Sequence, residues 1–253
     1  MKVLGVMDSL KILTEAMDQS DSVFYTRFGD NDVMQMSGSD QSGKSLLGRK
    51  MGGNRTVWSP ELQLEITKSF NIDNRNYFVG LSGDYPKEEG MKKGLFEPFP
   101  YKEALINKVY KLTFRREFLN PVLFHYLISF KPFIFDNFCA NYLKPSKKMF
   151  IGSVKKGTAE KVLGNVDYYI ESPIANAYSC IEMIWDQVKE NINNVDVVIP
   201  NCGQATRAIQ HRIWEHNKNV WSLDLGSIFD PLEGRKSRTC WKMVGNRISE
   251  RYK

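Results

Sequence analysis

Asp30 and Asp32 stand two positions apart in Arg27-Phe28-Gly29-Asp30-Asn31-Asp32, directly after a β-branched and aromatic run at residues 22–28. In an extended segment residues i and i+2 point to the same side. Two such carboxylates can share a divalent cation, Mn²⁺ or Mg²⁺, with a diphosphate whose oxygens complete the shell. The same residues also read as a helix start, with Asp30 as N-cap and Asp32 in a first turn that favours acids. A second candidate is Asn201-Cys202-Gly203-Gln204-Ala205-Thr206-Arg207, where an apolar strand turns into a helix. Free backbone N–H groups and the positive dipole end suit an anion there; a glycine serving only a tight turn is the plainer alternative. Gly152-Ser153 is a shorter turn of the same kind, and Asp224 ends the last strand, where it suits a ribose, an acceptor hydroxyl or the capping of the next turn.

Gly38, Gly43, Lys44 and Ser45 match the phosphate-loop pattern G-x-x-x-x-G-K-[ST], which predicts a nucleotide-dependent kinase. A true phosphate loop leaves a buried strand and enters a helix. Here the apolar run at residues 33–36 is short, and Gly48, Gly52 and Gly53 interrupt the stretch where the helix should run. The kinase therefore stands as an alternative. Cys139, Cys180, Cys202 and Cys240 form no C-x-x-C pair, and His211 and His216, five apart, lie on different faces of a helix. No zinc-type site is predicted.

Charge is concentrated at one end. Residues 234–253 hold Arg235, Lys236, Arg238, Lys242, Arg247, Arg251 and Lys253 against Glu250; removing these from 35 bases and 29 acids leaves 28 of each, so the net charge of +6 belongs to this tail. Such a tail attracts phosphates of a nucleotide, a nucleic acid or a lipid surface, or is a solvated helix end. With Trp241 and Tyr252 interleaved it also suits DNA, bases on phosphates and aromatics near an exposed nucleobase.

The elements that must position these residues emerge from periodicity. At 253 residues, 42 % hydrophobic and 25 % charged, without an apolar run of about 20 residues, the chain is not disordered, collagen-like or membrane-spanning. The first residues lack the apolar region and cleavage site of a signal peptide, so a reduced, cytoplasmic chain is expected. One domain over residues 1–253 is predicted, with an irregular aromatic and helical insertion at about 100–145 that Pro121 and Pro132 break into pieces. A helix over Leu10, Leu13 and Met17 precedes the strand at 22–28. Ser59-Pro60 starts a helix carrying Leu62, Ile66 and Phe70, and residues 76–82 form the next strand. Strands at 149–152, 166–170, 195–199 and 220–224 then alternate with helices carrying Ile181, Ile184 and Val188, and Ala205, Ile209 and Ile213. The pattern predicts an α/β fold, a parallel sheet with helices on both faces, and ligands beyond the carboxyl ends of its strands.

Arg-Phe-Gly-Asp-Asn-Asp at 27–32, Pro173-x-x-Asn176-Ala177-Tyr178 before a helix, the strand and turn ending at Gly203, and Leu223-Asp-Leu-Gly-Ser-Ile228 together resemble the GT-D-type glycosyltransferases over about residues 8–232. The resemblance implies a Rossmann-like, GT-D-like fold and transfer of a sugar from a nucleoside diphosphate sugar. It puts Asp30 and Asp32 at the metal or diphosphate, with Arg27 and Gly29 beside them, and Asn176, Gly203, Gln204 and Thr206 around the donor. Arg235 and Arg238 of the tail would supply further charge to the diphosphate. Two positions depart from the family pattern: Asp32 where Glu is usual, and Ser227 where His is usual. The base for the acceptor hydroxyl is sought among Asp224, Glu171 and Asp230, which follow or end strands. A glycan or glycoprotein is the expected acceptor, and DNA carrying hydroxymethylated cytosine the alternative.

Overall fold

Six short runs of β-branched and aromatic residues lie side by side in the computed structural model, which describes residues 2–36, 59–83, 86–91, 109, 111–235 and 237–253. They are β2 (Val23–Phe28), β3 (Tyr77–Leu81), β5 (Lys148–Gly152), β6 (Tyr168–Glu171), β7 (Val197–Asn201) and β8 (Trp221–Leu223). Their order is β3-β2-β8-β7-β5-β6, with every neighbouring pair parallel. This is the sheet the sequence predicts, with ends displaced by no more than two residues. The additional parallel pair β1 (Lys2–Val3) and β4 (Glu117–Phe118) is too short to leave a periodic signal.

Alternation along each strand divides the core in two. Tyr25, Phe150, Val197, Ile199 and Leu223 face α1 (Val6–Gln19), α4 (Leu123–Phe130), α5 (Pro132–Phe138), α6 (Lys156–Leu163) and α9 (Thr239–Arg251). Phe24, Phe28, Met149, Ile151 and Val198 face α3 (Pro60–Phe70), α7 (Ile181–Asn191) and α8 (Ala205–His216). Covering on both faces is what all-parallel strands require. Local signals set the helix starts: Ser59 Oγ accepts from Leu62 N at 3.1 Å, with Pro60 in the first turn of α3. Pro121 precedes α4 and Pro132 opens α5, so the prolines break the aromatic segment as expected.

One local expectation is corrected. Residues 30–36 form a helix, α2 (Asp30–Met36), not an extended segment. At 3.6 residues per turn, positions i and i+2 are about 200° apart, so the extended geometry that puts two such carboxylates on one side does not hold over α2. Asp32 reaches back to the Gly29 N–H at 2.9 Å, as the third-position acid of a capping box does. The Asp30 side chain and the phosphate-loop match at residues 38–45, Lys44 included, lie outside the described residues.

Candidate functional site

A cleft of about 770 Å³ opens over the carboxyl ends of β2, β7 and β8, the place the topology favours. Its lining includes Arg27 from β2, Gly29 just after it and Asp32 from α2, Gly203 and Gln204 from the turn after β7, Thr206 and Arg207 from the start of α8, and Asp224 just after β8. Asn176, Asp230, Arg235 and Arg238 complete it. Of the residues assigned through the resemblance or as candidate bases, all but Glu171 and Asp30, whose side chain is not described, line this one cleft.

Its floor is a buried network of alternating charge. Arg207 Nη2 is 3.2 Å from Asp32 Oδ2 and Nη1 is 3.3 Å from Asp224 Oδ2, while Arg27 Nε is 3.2 Å from Asp224 Oδ1. None of the four residues is more than 9 % exposed. Backbone groups complete it: Gly226 N donates to Asp224 Oδ1 at 2.8 Å, Arg207 Nη1 to Gly203 O at 2.7 Å and Arg27 Nη1 to Pro121 O at 3.0 Å. Burial pushes the Asp32 carboxyl up, against the pull of Arg207 and the Gly29 N–H. Burial alone would favour a neutral Arg207, but Asp32 and Asp224 outweigh it and hold the guanidinium charged.

Arg27 lies two residues after Tyr25 and so points to the same face of β2, toward α4. There its Nη1 donates to His125 Nδ1 at 2.9 Å. The other ring nitrogen then carries the proton, and Nε2 donates to Ser227 Oγ at 3.1 Å. Burial, Arg27 and Arg238 hold the imidazole pKa well below its usual value, so it is neutral. Ser227, where the resembled pattern has histidine, is thus met by an imidazole from a different element. Gly226 sits at φ 66, and a Cβ there would lie 2.3 Å from both Arg27 Nη2 and His125 Cε1. Only glycine lets the chain pass this pair.

Among the described residues five buried polar atoms of the cleft lining lack a hydrogen-bond partner: Arg27 Nε and Asp224 Oδ2, which are in the ion pairs above, Arg207 Nε of the same guanidinium network, and the pair Asp32 Oδ1 and Gln204 Nε2, which stands outside these contacts. Gln204 immediately precedes α8, where Gly203 turns the chain at φ 64, so an unused side-chain donor joins a helix N-terminus. The pair is complementary to a ligand offering anionic oxygens to one and a cation or hydroxyl to the other. Among the described residues no three acids, cysteines or histidines gather as a metal cage. Mg²⁺ and Mn²⁺ do not need one when a diphosphate supplies most of the shell, and Asp32 Oδ1 is a hard, buried, unused oxygen that fits such a shared cation.

Other expectations are refined by the contacts. The Thr206 hydroxyl accepts from Cys202 N at 3.2 Å and so braces the turn. Arg235 donates to Ser153 Oγ and O at 3.0 and 2.8 Å, with Asp230 and Glu233 each 3.8 Å away. Glu171 is exposed and away from the cleft lining. Asp230 is half-buried at the cleft, accepts from Ser237, and is pushed up mainly by burial. The tail is not a free basic arm: Arg247 donates to Ser129 O, Arg251 to Asp136, and Arg238 Nε to Ser227 Oγ at 3.0 Å. Trp241 is 1 % exposed and stacks on His125, and Tyr252 donates to Asp136. The aromatics expected to stack on a nucleobase are therefore packing groups, which corrects the nucleic-acid reading of this segment.

Arg207 and His125 are the network members the sequence reading did not assign. Each left a signal. An arginine in the first turn of a helix is opposed by the dipole and needs acids nearby; a histidine within Leu-Phe-His-Tyr-Leu-Ile must find partners where it is buried.

No protein-family model matches the chain, and no curated protein matches it in sequence. Solved structures do. One, described as a new glycosyltransferase of domain of unknown function 1792 from Streptococcus sanguinis, is 17 % identical, with a TM-score of 0.70 over 97 % of this chain and 85 % of its own. A selenomethionine-substituted structure of the same domain type gives 0.64, and a structure described as showing that this domain has a distinct glycosyltransferase fold gives 0.61. Both are 14 % identical and cover 97 % of this chain and 82 % of their own. The chain has the fold of these structures, in agreement with the GT-D-like α/β architecture predicted from sequence. Among the described residues no helix is long and apolar enough to cross a membrane.

Proposed function

We propose that the protein is a glycosyltransferase that binds a nucleoside diphosphate sugar in the cleft over β2, β7 and β8 and transfers the sugar to a hydroxyl of a glycan or glycoprotein. The fold supports the class. The observation that carries the donor assignment is the unused pair Gln204 Nε2 and Asp32 Oδ1, set in one cleft beside the start of α8. A diphosphate accepts from the Gln204 amide and the N-terminal N–H groups, and the guanidinium network gives its departing charge a fixed, desolvated environment.

The reaction breaks the bond between the anomeric carbon and the diphosphate oxygen, which leaves with the electron pair. It forms a bond from that carbon to the acceptor oxygen, whose proton must go to a base. Asp224 does not suit that task, since Arg27, Arg207 and the Gly226 N–H already engage both its oxygens; its role is to hold the two arginines in place. Asp230, half-buried at the cleft and with its pKa raised mainly by burial, is the carboxylate that takes this proton. Asp32, with Asp30 a neighbour on α2, would hold Mn²⁺ or Mg²⁺, which supplies charge neutralisation at the leaving diphosphate.

The test is thermal stabilisation across a panel of nucleoside diphosphates, nucleotide sugars and ATP, with and without Mn²⁺. Ligand at a hundredfold excess over its Kd should add about 2.7 kcal/mol to stability. A response to one diphosphate sugar that Gln204→Leu weakens supports the reading. A response to ATP alone, lost in Lys44→Ala, overturns it in favour of a kinase.

A further inference from the structure

Ser227 opens the 3₁₀ turn Ser227–Glu233 after β8 and lines the cleft, half-buried. Its Oγ is the target of three N–H groups: Arg238 Nε at 3.0 Å, His125 Nε2 at 3.1 Å and, longer, Trp241 Nε1 at 3.4 Å. Arginine and indole N–H groups cannot accept a proton, and the accepting nitrogen of His125 is taken by Arg27 Nη1 at 2.9 Å. The lone pairs of Oγ are therefore saturated, while its own O–H finds no acceptor among the described residues. A hydroxyl has one proton to give, and the direction left is the cleft. The guanidinium donating to the same oxygen withdraws charge from it and makes the O–H a stronger donor, best matched by an anionic oxygen.

We propose that the Ser227 hydroxyl is a binding group for a phosphate oxygen of the nucleoside diphosphate, holding it from the β8 side while the turn after β7 holds it from the other. This deepens the glycosyltransferase reading and rests on it. Three surrounding N–H groups fix where the oxygen sits, so the hydroxyl is oriented before the ligand arrives and little rotamer freedom is lost on binding.

Calorimetric titration tests the assignment, using the nucleoside diphosphate that stabilises the wild type, the matching nucleotide sugar and the bare nucleoside. Ser227→Ala should weaken the diphosphate and the nucleotide sugar alike by about tenfold or more, as expected for a hydrogen bond to a charged group. It should leave the nucleoside unchanged, and Ser227→Thr should restore the loss. A loss confined to the nucleotide sugar would assign the hydroxyl to the sugar and overturn the phosphate contact. An equal loss for the nucleoside would mean a purely structural role, and no loss at all would likewise overturn it. Should the alanine variant fail to fold, Ser227→Cys, with similar volume but a weak donor, must show the same selective loss. Failure of the wild type to bind any diphosphate would overturn the glycosyltransferase reading and this assignment together, whereas wild-type binding with an unaffected variant overturns this assignment alone.

Discussion

Arg207→Met removes a guanidinium that lies 3.2 Å from Asp32 Oδ2 and 3.3 Å from Asp224 Oδ2, at a position 5 % exposed, while keeping much of the side-chain volume. Asp224 retains Arg27 at 3.2 Å and the Gly226 N–H at 2.8 Å, but among the described residues Asp32 keeps only the Gly29 N–H, at 2.9 Å, as a hydrogen-bond donor. One carboxylate, then, is left uncompensated in a buried site. Breaking a buried pair from one side costs about 3–5 kcal/mol; relief of the clash between Arg207 and the α8 dipole returns at most about 1 kcal/mol. For a chain of this size each kcal/mol moves Tm by about 2–4 °C, so the variant should melt roughly 4–20 °C lower. Denaturant unfolding at constant m measures the loss directly.

The same reasoning fixes a pH signature and a rescue. Burial already raises the Asp32 pKa above 3.8, and losing Arg207 raises it further. The folded variant then keeps a proton that the unfolded chain releases near 3.8, so its stability falls as pH rises from there through the raised pKa and is level above it. Asp32→Asn in the Arg207→Met background removes the stranded charge and should recover most of the loss, a coupling of at least about 1 kcal/mol in a double-mutant cycle. A single-variant loss below about 1 kcal/mol, the range of exposed pairs, or a double variant as unstable as the sum of its parts, would refute the buried network.

Asp230→Asn should lower kcat by about 10²–10⁴ with little change in donor KM, and the acidic limb of the wild-type rate profile should lie above the ordinary carboxylate range because burial raises that group. Gly226→Ala places a Cβ 2.3 Å from Arg27 Nη2 at φ 66, so both Tm and donor binding should fall, as a melting scan and a titration would register. Gln204→Leu should weaken diphosphate binding relative to the bare nucleoside without lowering Tm, since its Nε2 has no partner to lose; a large fall in Tm would show that the amide serves the fold instead.

Period-two and period-3.6 patterns carried most of the architecture, because a two-faced parallel sheet demands continuous apolar strands and one-sided helices. Ile209 and Ile213 on α8, or Val197 to Ile199 on β7, could hardly serve another purpose. Placement of the candidate site was legible for a related reason: turns after parallel strands converge at one edge, and residues as far apart in sequence as Arg27, Asn176, Gly203 and Asp224 meet there. Residues 30–36 were less legible, since a short Asp-Asn-Asp-Val-Met-Gln-Met run satisfies both an extended and a helical reading until Asp32 is seen to cap the Gly29 N–H. The tail misled in another way. Net charge counts bases but not their partners, and Asp136 and Ser129 lie far in sequence from Arg251 and Arg247, which they hold.

What composition and spacing hide is pairing, and pairing decides the chemistry of this cleft. Asp224 looks like a base when it stands alone at the end of a strand; with an arginine on each oxygen it becomes the fixed counter-ion that keeps Arg27 and Arg207 in register. Ser227 looks like the loss of a functional side chain, yet His125 reaches the same oxygen from α4. In both cases the informative feature was a polar residue in a locally unfavourable place, Arg207 at the positive end of a helix and His125 in an apolar run. Each such placement costs stability unless a partner offsets it, so each predicts a partner not yet found. Applied to the two unpartnered atoms outside the ion-pair network, the same logic makes Asp32 Oδ1 and Gln204 Nε2 statements about the ligand: the first calls for a cation or a hydroxyl, the second for an anion, and a metal-associated diphosphate carries both.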